Sequence, residues 1–183
     1  MTDNLYTINM SNPFVICFAG VSGCGKSSIA HELSIELAIP RFELDKIRQE
    51  VKDDFWAKDF QRSDVLDAFN ERAKERYLRL LERRQSHVLD SSVDRVWGEL
   101  KHLYEKNGFR WFLISLDVSD SRMQRLYDLY GNADPAEIPR YSEQHQDFLR
   151  KFAGDIGLSI GDKTFADRLV LSSGSVRDFL EKL

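Results

Sequence analysis

The order of apolar and polar positions along the chain predicts short buried strands alternating with amphipathic helices. Phe14–Ala19 (FVICFA) is a continuous apolar run, the pattern of a strand covered on both faces. Ile29, Leu33 and Leu37 follow at helical spacing, and Pro40 ends that helix. Residues 41–44 predict a second, short strand, after which Ile47, Val51 and Phe55 form another helical stripe. A long helix is expected over 63–85, with Leu66, Phe69, Ala73, Tyr77 and Leu80 on one side. Residues 87–90 read as a strand closing on a carboxylate, and Val93, Val96 or Trp97, Leu100 and Tyr104 as a helix ended by Asn107-Gly108.

The second long apolar strand is predicted over 109–116, followed by a helix capped by Ser119 with Met123, Leu126 and Tyr130 on its apolar side. A loop is expected over 134–139, then a helix opened by Ser142 and carrying Phe148, Leu149 and Phe152. Residues 168–171 are predicted as the last strand. Ser175 and Asp178 are predicted as a capping box for a terminal helix. Strand and helix alternating about five times predict an α/β fold: a doubly wound, five-stranded parallel sheet with helices on both faces. In such a sheet, ligands lie beyond the carboxyl ends of the strands.

Composition narrows the class. A chain of 183 residues can bury roughly 70% of its unfolded surface in one domain, so a single domain over 1–183 is expected. An aromatic share of 11% excludes a disordered chain. The longest apolar stretch, 14–20, is far short of the roughly 20 residues that span a bilayer. No basic residue precedes Lys26, so no secretory leader is expected and the compartment is read as cytoplasmic. The net charge of -4 argues against a surface built for nucleic acid, and no stable nucleic-acid complex is expected. The two cysteines, Cys17 and Cys24, match no disulfide or zinc spacing, and His31, His87, His102 and His145 stand far apart. Trp56, Trp97 and Trp111 sit in apolar patterns and are assigned to the core.

The chemistry enters directly after the first strand. Gly20-Val21-Ser22-Gly23-Cys24-Gly25-Lys26-Ser27 fits GxxxxGK[ST], the phosphate-binding loop, and Ser28 extends it into the helix. Glycines let successive backbone N–H groups turn inward as an anion nest, and the following helix points its positive end at the same phosphates. Lys26 is expected at the β- and γ-phosphates of ATP and the Ser27 hydroxyl on Mg²⁺. No NKxD base-reading sequence of a GTPase occurs, and DxxG at 128–131 lies in a helical stretch rather than after a strand.

Gly20 to Ala30 (GVSGCGKSSIA), with Asp45-Lys46-Ile47-Arg48, resembles the small P-loop kinases. That group includes gluconate kinase, adenylylsulfate kinase, the zeta-type toxins and the kinase domain of polynucleotide kinase. The last is the closest pattern: its DxxR motif follows the second strand, and its third strand ends in Asp, a polar pair and an Arg. Asp90-Ser91-Ser92-Val93-Asp94-Arg95 is similar to that ending. Leu116-Asp117-Val118-Ser119, then Arg122 and Arg125, is similar to the start of the arginine-bearing lid, expected here over about 119–153. Leu129 and Tyr130 stand where many relatives carry a further lid arginine.

The resemblance implies an ATP-dependent phosphotransferase acting on a hydroxyl of a small-molecule or nucleotide acceptor. Lys26, Asp45, Arg122 and Arg125 become catalytic candidates, with Asp45 as general base or hydroxyl orienter. Asp45 also stands where a strand gives way to a helix, a position at which Asp is a preferred N-cap. Arg48, one helical turn on, offers a donor fork to an anionic acceptor. Ser91, Arg95 and Arg140 are further acceptor candidates, and Asp90 with Ser27 the Mg²⁺ candidates. Ser172-Ser173-Gly174 is expected near the adenine by resemblance alone. Two alternatives stay open: an acceptor that is a nucleoside, nucleotide or nucleic-acid 5′ end, and an ATP-binding switch or slow ATPase working through a protein partner.

Overall fold

The computed structural model describes residues 12–55, 62–130 and 134–183. Trp56 and the side chain of Tyr130, both assigned above to apolar stripes, lie outside the described residues. Strand β1 is Phe14–Ala19, followed by α1 (Lys26–Glu36), β2 (Arg41–Glu43), α2 (Leu44–Phe55) and α3 (Arg62–Glu82). Then come β3 (His87–Ser92), α4 (Trp97–Lys106), β4 (Arg110–Leu116), α5 (Asp120–Tyr130) and α6 (Ile138–Phe152). The chain closes with β5 (Ile156–Ile160) and α7 (Phe165–Leu180).

The five strands form one parallel sheet in the order β2-β3-β1-β4-β5. From β1 the chain moves out to β2 and back through β3, then crosses β1 to β4 and β5. The strand order therefore reverses beside β1, and a crevice opens at the carboxyl ends there. β1 is buried along its whole length because both faces are covered. Its even positions, Phe14, Ile16 and Phe18, pack with Ile29 and Leu33 of α1, Ile114 of β4 and Val176 of α7. Its odd positions, Val15, Cys17 and Ala19, meet Ile47 of α2, Tyr77 of α3, Trp97 and Tyr104 of α4 and Phe148 of α6. The period of two in the strand thus divides the core between two helical layers.

The second layer contains a buried polar chain. The Cys17 thiol lies 3.7 Å from the Tyr104 hydroxyl, which bonds Tyr77, whose hydroxyl lies 3.2 Å from His87 Nε2. Burial pushes the Cys17 thiol up to about 12 and His87 down to about 4, although the Gln85 carbonyl supports the protonated ring. Both therefore stay neutral at pH 7. Trp97 is fully buried and donates to Asp155 at 2.9 Å, while Trp111 stands edge-on to it.

Three sequence expectations are corrected. The last strand is Ile156–Ile160, not 168–171; β5 is a half-buried edge strand with Gly157 and Ser159 facing out, so it lacks an apolar run. Residues 168–171 belong to α7, where Arg168, Ser172 and Val176 are buried at a spacing of four. The capping box is accordingly Thr164 with Asp167: the Thr164 hydroxyl accepts from the Asp167 N–H at 3.2 Å. Lastly, α6 starts at Ile138, before Ser142, because Pro139 lies in its first turn and has no N–H to lose there. The segment expected as a lid holds α5, a short turn at Pro135–Glu137, and α6.

Gly157 makes a test of the β4–β5 packing. A Cβ there would come 2.4 Å from the Phe112 ring, and Phe112 is itself core. Gly157→Ala should cost about 1–3 kcal/mol through overpacking. A thermal melt should show the midpoint several degrees lower.

Candidate active site

The loop after β1 takes its shape from three glycines. Gly20, Gly23 and Gly25 have φ of 135°, 77° and 101°, a region that favours glycine. Space also demands them: a Cβ at Gly20 would sit 2.8 Å from the Leu116 carbonyl oxygen, and one at Gly23 2.7 Å from the Tyr127 ring. Gly25 is the N-cap of α1, which has no side-chain cap and no acid in its first turn. Its positive end is thus left available to an anion. Lys26 is nearly buried, and its Nζ donates to the carbonyls of Gly20 and Val21 at 2.8 and 2.7 Å.

This loop floors a cavity of about 990 Å³ that also collects residues from β3, α2, α5 and α7. Gly20 to Ser28, Asp45, Arg48, Asp90, Ser91, Arg95 and Arg122 all line it. Arg125 and Arg140 are exposed and do not; Arg140 instead pairs with Glu137 and lies over the Tyr141 ring.

Asp45 and Arg48 enter from the first turn of α2. The helix begins at Leu44, so Asp45 lies inside it rather than at the N-cap. Its carboxylate bonds the Arg48 guanidinium one turn on, and Arg48 also stacks over Phe69. Asp90 sits two residues before the end of β3, which runs to Ser92 rather than stopping at the carboxylate. Burial pushes the Asp90 carboxyl above its ordinary range, beyond what the Ser27 hydroxyl and Arg41 restore. Arg41 Nη1 lies 3.2 Å from Asp90 and 3.3 Å from the Ser27 carbonyl, so it ties β2 to the loop and to β3.

Three side chains that bond the loop after β1 have no role in the sequence reading. Asp94 accepts from the Gly20 N–H and from His145 Nδ1, both at 2.9 Å. Burial raises its carboxyl, but these bonds together outweigh burial and hold it below the ordinary carboxylate range. It joins α6 to the start of the loop after β1. Tyr127 of α5 donates to the Ser22 carbonyl at 2.8 Å, a second tie from a helix to the loop. Arg168, hidden inside the segment read as a strand, donates Nη1 to the Cys24 carbonyl at 2.7 Å. Helical spacing in α7 was the available signal for Arg168, whereas Asp94 and Tyr127 are marked by nothing local.

Ser172-Ser173-Gly174, expected near the adenine, lies within α7 instead. Ser172 is buried, and the Ser173 hydroxyl donates to Glu36 of α1 at 2.6 Å. Residues 161–164 follow the last strand, and Phe165 just beyond them lines the cavity.

No family model matches the sequence, and no curated protein matches it. Solved structures do. A proposed kinase from Chloroflexus aurantiacus j-10-fl superposes with a TM-score of 0.65 at 19% identity, covering 95% of this chain and 99% of that one. A gluconokinase from Sinorhizobium meliloti 1021 gives 0.60 at 18% identity over 93% and 95%. The adenylylsulfate (APS) kinase of Mycobacterium tuberculosis, solved with AMPPNP and APS, gives 0.58 at 18% identity over 91% and 98%. The fold is that of the small P-loop kinases. Among the described residues no helix is long and apolar enough to cross a membrane.

Proposed function

We propose that this chain is an ATP-dependent phosphotransferase that moves the γ-phosphoryl of ATP to a hydroxyl of a small-molecule or nucleotide acceptor. One observation carries the proposal: the cavity joins a phosphate loop to a second set of polar side chains, Asp45, Arg48, Ser91 and Arg95, on different elements. A switch or slow ATPase needs no such second wall.

In this reading, Lys26 exchanges its two loop carbonyls for phosphate oxygens, a stronger charge-assisted contact. Arg122, the lid arginine that lines the cavity, adds charge from above. Asp45 orients the acceptor hydroxyl and receives its proton, while Arg48 holds Asp45 in place and offers its remaining donors to an anionic group. Phe165, 47% exposed at the cavity wall, offers a face to the nucleobase. Mg²⁺ prefers hard oxygen ligands and takes few from protein, and the bonded pair Ser27 hydroxyl and Asp90 carboxylate is a fitting donor set. When bound, the ion would neutralise phosphate charge.

A panel of metabolites, nucleotides and oligonucleotides scored by acceptor-dependent ADP release tests the proposal. Release that no acceptor stimulates would favour the switch. Arg48→Ala should raise the acceptor KM about tenfold or more and leave the ATP KM nearly alone. Lysine at this position should rescue only part of the loss, since the planar fork is gone. An ATP KM that rises instead would move Arg48 to the donor site.

A further inference from the structure

Arg168 carries a buried guanidinium whose hydrogen bonds are only partly made. The residue is 4% exposed, and its Nη1 bonds the Cys24 carbonyl, yet Nε and Nη2 have no partner among the described residues. A buried donor without a partner is costly, and more so on a charged group. Arg122 of α5 lines the same cavity, its charge reaches Arg168, and its own Nε is buried without a partner among the described residues. Burial first, and then the charge of Arg122, push the Arg168 guanidinium below its ordinary range. Asp162 is the acid whose charge reaches both, but its carboxylate is engaged by the Ser119 N–H and hydroxyl.

Two arginines lining one cavity thus keep buried donors unspent. Removing charge from water without a bound counter-charge is unfavourable unless something completes the site. Both residues line the cavity, and Arg168 Nη1 would lie 3.7 Å from a Cβ on Gly25, the N-cap of α1. We propose that Arg168 and Arg122 form an anion clamp at the edge of the phosphate loop, which takes a phosphate that ATP and ADP share. The clamp rests on the phosphotransferase reading and extends it. It makes α7 part of the nucleotide site and gives the chain affinity for product as well as substrate. A purely structural role, bracing the loop through Cys24, is the competing account.

Arg168→Lys separates the two, because an ammonium can still reach the Cys24 carbonyl but lacks the fork. Calorimetric titration of ATP, ADP, inorganic triphosphate and adenosine is run on wild type and variant, with a melt for each. Arg168→Lys should bind ATP, ADP and triphosphate about tenfold more weakly, and adenosine as wild type does. Arg122→Gln, whose side chain is only half-buried, tests the clamp from its other arm and should lose ADP affinity as well as ATP affinity. If Arg168→Lys binds all four probes like wild type, Arg168 is a brace and the clamp is wrong. An Arg122→Gln protein that loses ATP and spares ADP also overturns it, whatever the folding of Arg168→Lys. Wild type that binds no nucleoside triphosphate overturns the phosphotransferase reading itself, a distinct result.

Discussion

Lys26→Ala should reduce phosphoryl transfer by at least about 10², the scale on which single electrostatic donors act in such sites. Two losses combine in this variant. The ammonium disappears from the place where the β- and γ-phosphates would gather charge, and its bonds to the Gly20 and Val21 carbonyls disappear with it. The second loss frees a loop that is otherwise held by Asp94 at Gly20, Tyr127 at Ser22 and Arg168 at Cys24. Those three ties remain, so the variant should stay folded with its cavity in place. Nucleotide titration should show weakened ATP, and acceptor-dependent ADP release should nearly vanish. A folded Lys26→Ala protein with wild-type binding and turnover would remove the phosphate-loop reading and everything built on it.

Local pattern was enough for most of the fold, and the exceptions share a cause. β1 and β4 announce themselves because a strand covered on both faces must be apolar throughout. β5 is covered less completely, and Gly157 is forced by the Phe112 ring rather than by any strand preference, so the segment resembles a loop. With β5 overlooked, the apolar stretch at 168–171 took its place, although its burial follows helical spacing. The phosphate loop was legible because its chemistry needs glycines and a lysine in fixed order. Asp90, Asp45 and Arg48 line one cavity because the ends of parallel strands face one crevice. Asp94 and Arg168 act across sequence gaps of 74 and 144 residues, on Gly20 and Cys24. No short window contains both members of either pair. Arg125 shows the converse: its spacing from Arg122 suits a shared role, yet only Arg122 lines the cavity, because Arg122 and Leu126 present the lining face of α5.

Asp45→Asn should separate a carboxylate that serves the transfer from one that only partners Arg48. The Asp45 side chain is 85% exposed, so an amide of the same size disturbs no packing. The amide oxygen can still accept from Arg48, and Asp45 lies in the first turn of α2, so little helix stability is at stake. The variant should melt within a few degrees of wild type and bind ATP as wild type does, since the loop is untouched. Its chemistry should differ sharply. An amide has no carboxylate charge to draw a proton from the acceptor hydroxyl, and general-base contributions amount to about 10² to 10⁴ in rate. Acceptor phosphorylation should therefore fall by at least about 10², with the loss in kcat rather than in the ATP KM. The comparison with Arg48→Ala sharpens the test: that variant should weaken acceptor binding, whereas Asp45→Asn should leave a bound acceptor unreactive. Full transfer by Asp45→Asn would reduce the carboxylate to a helix partner of Arg48. The second wall of the cavity would then bind the acceptor without supplying a base.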